Sequence, residues 1–173
     1  MMIVAVSLHH CRCDIGFEAP VIDNLFASRG SSREIEEGTT FAPKFDEAGL
    51  IACVVTDIGT GEVLMVAHMN AQAIQRSVAT GEAWFYSRSR KALWKKGETS
   101  GHVLRLKEMR VDCDQDVLWI KVELVGPGAC HTGRRSCFYR AVVHSAPDAP
   151  LTLEFRDAEH SFDPAAVYGA SKG

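Results

Sequence analysis

Two apolar runs, GLIACVVTD (49–57) and GEVLMVAHM (61–69), flank the turn Ile58-Gly59-Thr60-Gly61, and this pair constrains the fold more than any other feature. Short β-branched runs bounded by glycine read as strands, and a turn of this length joins them as a hairpin. Asn70 then caps a predicted helix over residues 71–80, with Ile74 and Val78 on its inner face and Gly81 just past its end. Residues 83–88 (AWFYSR) are aromatic-rich and read as a strand, whereas SRKALWKKGETSGH is polar, contains two glycines and reads as a functional loop. HVLRLKEMRV alternates as a half-buried strand should, and VLWIKVELV is a second strand stopped by Gly126-Pro127-Gly128. CFYRAVV supplies another, and LTLEF one more before a loose end. The expected architecture is a single α+β domain of strands and hairpins with one or two helices. It occupies residues 44–145, between an N-terminal extension (1–43) and a C-terminal tail (146–173). Within the extension, Ser32 is placed to cap a short helix over REIEE that stops at Gly38.

The net charge of −3 argues against a protein that coats nucleic acid, yet leaves room for local cationic loops around a nucleotide. No run reaches the ~18 apolar residues of a membrane helix. MMIVAVSLHH lacks the basic start of a secretory signal, so a cytoplasmic protein is expected. In that compartment cysteines are thiols or metal ligands rather than disulfides. Cys53, inside LIACVV, reads as a buried inert thiol.

Asp112-Cys113-Asp114-Gln115-Asp116 puts three carboxylates at alternate positions, on one side of an extended chain. Like charges held together need solvent or a cation between them, so a solvated acidic turn and an oxygen-ligated Mg²⁺ site both fit. An EF-hand does not fit, because Val117 stands where the loop requires glycine and the flanks read as strands. Cys113, Cys130 and Cys137, with His131 beside the second, lack any C-x-x-C pair and so do not form a zinc finger. They read either as ordinary buried thiols or as three ligands to a Zn²⁺ whose fourth position stays open for water. In the latter case a neighbouring base, His131 or His102, becomes useful. Arg88, Arg90, Lys95, Lys96, Thr99 and Ser100, then Arg134 and Arg135, bracket these motifs in loops of the kind that hold phosphate.

The stretches FDEAGLIACVVTD, GEVLMVAHMN, TGEAWFYSRSRKALWKKGETSGH, VDCDQD and GPGACHTGRRSCFYR together resemble the phosphoribosyl-AMP cyclohydrolase family over residues 45–140. The resemblance implies a zinc- and magnesium-dependent intertwined homodimer acting in histidine biosynthesis, its substrate a small phosphorylated nucleotide rather than a nucleic acid. It implies that Cys113 of one subunit joins Cys130 and Cys137 of the other on zinc, and that Asp112, Asp114 and Asp116 hold magnesium. It gives His131 a catalytic role beside the zinc. Some relatives carry a second, helical pyrophosphohydrolase domain, and the thirty residues after Val143 are too few for one, so a monofunctional chain is expected. Cys11 and Cys13 have no counterpart in the resemblance. Two rivals are a zinc-stabilised nucleotide- or RNA-binding module without turnover and a zinc deaminase. The second lacks its H-x-E and P-C-x-x-C signatures.

Overall fold

The computed structural model describes residues 25–169; MMIVAVSLHH, Cys11 and Cys13 lie outside them. The expected hairpin forms as β1 (Ile51–Asp57) and β2 (Val63–Met69), antiparallel, with Val54 opposite Val66. Its turn closes on the Asp57 carboxylate, which accepts from the Gly59 and Thr60 amides at 2.9 Å each. Two further strands, β5 (Leu104–Val111) and β6 (Val117–Leu124), complete a sheet of order β2-β1-β6-β5. The central pair, β1 and β6, is parallel and runs from Ala52 opposite Val117 to Asp57 opposite Val122. Alternate residues of these strands (Cys53, Val55, Leu118, Ile120 and Val122) are wholly buried on one face, where period-two geometry collects them.

Helix α2 (Ala71–Thr80) covers that face, with Asn70 Oδ1 accepting from the Ala73 amide at 2.8 Å and Gly81 in the left-handed conformation at its end. Its buried residues are Ala73, Ile74 and Ser77, while Val78 is 64% exposed, which corrects the expected inner face. Ser77 takes the inward position because its hydroxyl has work there. It donates to the Ala73 carbonyl at 2.8 Å and accepts from the Trp84 amide at 2.9 Å, tying the helix to β3 (Trp84–Ser87).

Four further corrections concern boundaries. The polar segment after β3 is not all loop: Ala92–Lys95 forms β4 and pairs with β3 around Lys91, whose φ of 50° makes the reversal. The strand expected over CFYRAVV begins only at Arg140, as β7 (Arg140–Val143), which pairs with β8 (Thr152–Phe155). The loose end contains α3 (Pro164–Tyr168), started by the Asp163 carboxylate and a proline in its first turn. The first helix, α1 (Ser32–Glu37), is capped by Ser31 rather than Ser32, because only Ser31 stands three residues before Glu34 and closes the reciprocal capping box. Among the described residues three short helices therefore accompany a mainly β domain, and the α+β class holds. Among the described residues no helix is long and apolar enough to cross a membrane.

Ser77→Ala leaves the buried Trp84 amide without an acceptor and is expected to lower unfolding free energy by ~1–3 kcal/mol. Urea unfolding followed by circular dichroism checks this, and a midpoint indistinguishable from the parent would show that the hydroxyl does not tie α2 to the sheet.

Candidate active site

The acidic run forms the turn between β5 and β6. Oδ1 of Asp112 accepts from the Asp116 and Val117 amides at 3.0 Å each, folding the loop on itself. The ligand oxygens of Asp112, Asp114 and Asp116 lie within 4.8 Å of one another, the geometry a divalent cation needs. Lys44 stands against them, its Nζ 3.5 Å from Asp114 and 3.4 Å from Asp116, so an ammonium already offsets part of the repulsion. The loop is anchored by Gln115, the residue sequence reading treats as a spacer. Gln115 has φ 59° and is 4% exposed. Its Oε1 accepts from the Ala42 amide, and its Nε2 donates to the carbonyls of Ile35 and Thr40. Residues 35–42 thus hold the acidic turn from outside, and Arg29 adds a bond of 2.9 Å to the Asp114 carbonyl.

The thiol loop, residues 128–137, is sewn to the start of β2. The Cys137 amide donates to the Leu64 carbonyl at 2.8 Å and the Ser136 hydroxyl to that of Val63 at 2.7 Å. Arg135 is held by Asp57 at 3.1 Å and Glu62 at 2.8 Å. Arg134 lies over the rings of Tyr139 and Phe155 and donates to the Asp157 carbonyl. These two arginines brace the loop. Its thiols lie together: Cys137 neighbours Cys130, whose Sγ is 3.0 Å from the Thr132 hydroxyl, and Lys96, 8% exposed, sits beside both. Burial, reinforced by the neighbouring Cys130, pushes the Cys137 thiol up to about 12. Burial conversely lowers Lys96, against the pull of the two thiols. A Cys137 thiol so reluctant to ionise stays protonated unless a cation binds it, and a thiophilic metal deprotonates a coordinating thiol outright.

A cavity of about 460 Å³ opens in front of this pair, walled by Cys137, His131, Trp94, Arg90, Lys95, Lys96, Thr99, Ser100 and Tyr168. The cationic loop wraps it because Gly97, at φ +89°, lets the chain pass against the backbone of His102, which a Cβ would meet at 2.6 Å. Of the phosphate-binding candidates, Arg90, Lys95, Lys96, Thr99 and Ser100 line this cavity. Arg88 lies in an adjoining hollow with Arg90 and His68, and neither Arg134 nor Arg135 lines either.

The thiols and the carboxylates sit at opposite ends of the sheet. Val117, just after the acidic turn, is level with Ala52, whereas Leu64, which holds Cys137, is level with Val55 and Thr56. Three to four residue steps separate these rows, ~10–13 Å along the strands. Among the described residues Cys113, which is exposed, forms no ligand group with Cys130 and Cys137.

Together the cavity, its thiols, its histidine and its cationic wall define a small α+β enzyme that handles an anionic substrate. The family model described as phosphoribosyl-AMP cyclohydrolase matches residues 65–139. Relatives bearing that name occur in Rhodopseudomonas palustris HaA2, 62% identical over 136 residues (79% of this chain, 91% of the relative). Others occur in Nitrobacter winogradskyi, 64% identical over 140 residues (81% and 95%), and in Bradyrhizobium diazoefficiens, 62% over 137 residues (79% and 96%). The chain belongs to the phosphoribosyl-AMP cyclohydrolase family, hydrolases of carbon–nitrogen bonds in histidine biosynthesis.

The thiolate is the species that iodoacetamide alkylates, so in chelator-treated protein the Cys137 iodoacetamide rate is expected to rise about tenfold per pH unit between about pH 8 and 10 without levelling. Peptide mapping by mass spectrometry reads this out. A plateau near pH 9, as for an ordinary thiol of pKa ≈ 8.5, would contradict the raised Cys137 thiol.

Proposed function

We propose that the chain hydrolytically opens the six-membered adenine ring of 1-(5-phosphoribosyl)-AMP at the cavity facing Cys130 and Cys137. The observation that carries the reading is the convergence of Cys137, with Cys130 packed behind it, His131 and a cationic wall on one cavity, in a chain of this family. Cys130 and Cys137 would hold zinc together with Cys113 of a second copy, because one chain keeps Cys113 at the other end of its sheet. Bound there, zinc supplies an acidified water at neutral pH. Asp112, Asp114 and Asp116 would hold magnesium, which would supply positive charge toward the substrate phosphates. Since Cys113 lies between two of these aspartates, the copy that lends its thiol brings its carboxylates to the same cavity.

The chain's own side chains carry the remaining steps. Arg90, Lys95 and Lys96 hold the substrate phosphates, assisted by the Thr99 and Ser100 hydroxyls, and fix the purine over the thiols. Phosphoribosylation of the ring nitrogen makes the purine cationic, so the adjacent carbon accepts water readily. A carbon–oxygen bond forms there, and the bond from that carbon to the substituted nitrogen breaks. His131 takes the proton from the attacking water and returns it to the departing nitrogen. Lys96, buried beside the thiols, offsets their negative charge once they are ionised.

Cys130→Ser is expected to lose both zinc, measured by elemental analysis, and ring opening, followed as an ultraviolet absorbance change, with circular dichroism unchanged. His131→Asn should keep zinc and lower kcat by about 10²–10⁴-fold. Full activity in a zinc-free Cys130→Ser protein would overturn the reading, and binding without any spectral change in the parent would favour the module without turnover.

A further inference from the structure

The segment after β7 folds back over the thiol loop instead of leaving the domain. The Ser161 amide donates to the Gly133 carbonyl at 2.7 Å, and Arg134 reaches the carbonyls of Asp157 and Ala158. Gly133 has φ +84°, and a Cβ there would stand 2.5 Å from the Phe162 carbonyl oxygen and 3.0 Å from Pro164. The loop therefore accepts this segment only because that position is glycine. The Phe162 ring packs edge-on against His102 at 4.5 Å between centroids and comes within 3.1 Å of where a Cβ on Gly128 would be. Behind it Asp163 caps α3, its carboxylate accepting from the Ala165 amide at 2.9 Å. The helix ends on Tyr168, whose ring leans on Phe162 at 6.4 Å and lines the same cavity as His131, Trp94 and Lys96. Tyr168 is 39% exposed. A large ring left partly open at the mouth of a cationic cavity, when its neighbours are tied down, is placed to meet a ligand rather than to fill a core.

We infer that Tyr168 is a substrate-contacting residue, carried to the cavity by the folded-back C-terminal segment, whose ring stacks on the nucleotide base. The inference rests on the proposed reading of the cavity as a phosphoribosyl-AMP site, and it concerns a residue beyond the stretch 65–139 matched by the family model. Cations in the wall satisfy the phosphates but leave the flat face of the base without a partner. Tyr168 and Trp94 are the aromatic side chains that line the cavity. Stacking depends on the ring and not on the hydroxyl, so phenylalanine substitutes for it and alanine does not.

Tyr168→Ala is expected to raise KM for phosphoribosyl-AMP about tenfold, with kcat near that of the parent. Calorimetric affinity for AMP, used as a non-reacting probe, should weaken to a similar extent. Tyr168→Phe should restore both values, and the melting temperature of the alanine variant should match the parent, because a merely structural tyrosine would move stability before KM. Asp163→Ala, which releases the start of α3, should raise KM in the same direction. If the parent turns over phosphoribosyl-AMP and Tyr168→Ala leaves KM and AMP affinity unchanged, the role of Tyr168 is overturned while the proposed function stands. If the parent neither turns over phosphoribosyl-AMP nor binds AMP, both fall together.

Discussion

The parallel pairing of β1 with β6 is the constraint on which the rest of the molecule depends. Two strands separated by sixty residues lie side by side in the same direction, Ala52 against Val117 and Asp57 against Val122. A parallel pair brings the starts of both strands to one end of the sheet and their ends to the other. The approach to β1, with Lys44 and Phe45, therefore lies beside the acidic turn that opens β6. Lys44 meets Asp114 and Asp116, and the Lys44 amide donates to the Gln115 carbonyl at 2.7 Å. At the opposite end, the β1–β2 turn presents Asp57 and Glu62 to Arg135 and so fixes the thiol loop. One pairing thus builds two sites and keeps them apart. In the proposed reading a chain arranged this way would supply Cys113 to a thiol pair other than its own, and the zinc site would need two copies.

Electrostatics acts differently at the two ends. The carboxylates stay near solvent, where an ammonium and backbone amides relieve their repulsion at little cost. The thiols lie against one another, Cys130 buried and Cys137 open at the cavity, and desolvation of the Cys137 sulfur favours its protonated form strongly enough to move it to about 12. A second chemically quiet thiol, Cys53, is raised to about 12 by burial among strand residues with no cation beside it. Lys96 separates the two cases. It gives the Cys130–Cys137 pair a positive neighbour, and the cavity gives that pair access to a ligand.

The hairpin, the capped helix over 71–80 and the main strands were legible because each rests on local chemistry: β-branched runs, an asparagine cap, a glycine in the left-handed conformation. Misreadings arose where a long-range partner decided the outcome. Val78 matches Ile74 in helical spacing, yet Ser77 turns inward because Trp84 offers it an amide. Ala92-Leu93-Trp94-Lys95 looks polar in its surroundings and becomes a strand because β3 lies ready to pair with it. The chemistry-bearing residues were legible as types, since thiols, carboxylates and cations announce themselves. Their grouping was not: Arg134 and Arg135 read like Arg90 and Lys96, but their partners are Tyr139, Phe155, Asp57 and Glu62. Gln115 and Tyr168 gave no signal, because one bonds carbonyls seventy or more residues away and the other reaches the cavity through a tail that folds back.

The central claim, a thiol site completed by a second copy, is tested most directly by mixing two separately inactive variants, Cys113→Ser and Cys137→Ser. After joint unfolding and refolding, each mixed dimer holds one site with all three thiols intact, so about a quarter of parental activity should return if copies pair at random. A mixture as inactive as its components, with mixed dimers present by native mass spectrometry, would contradict the account.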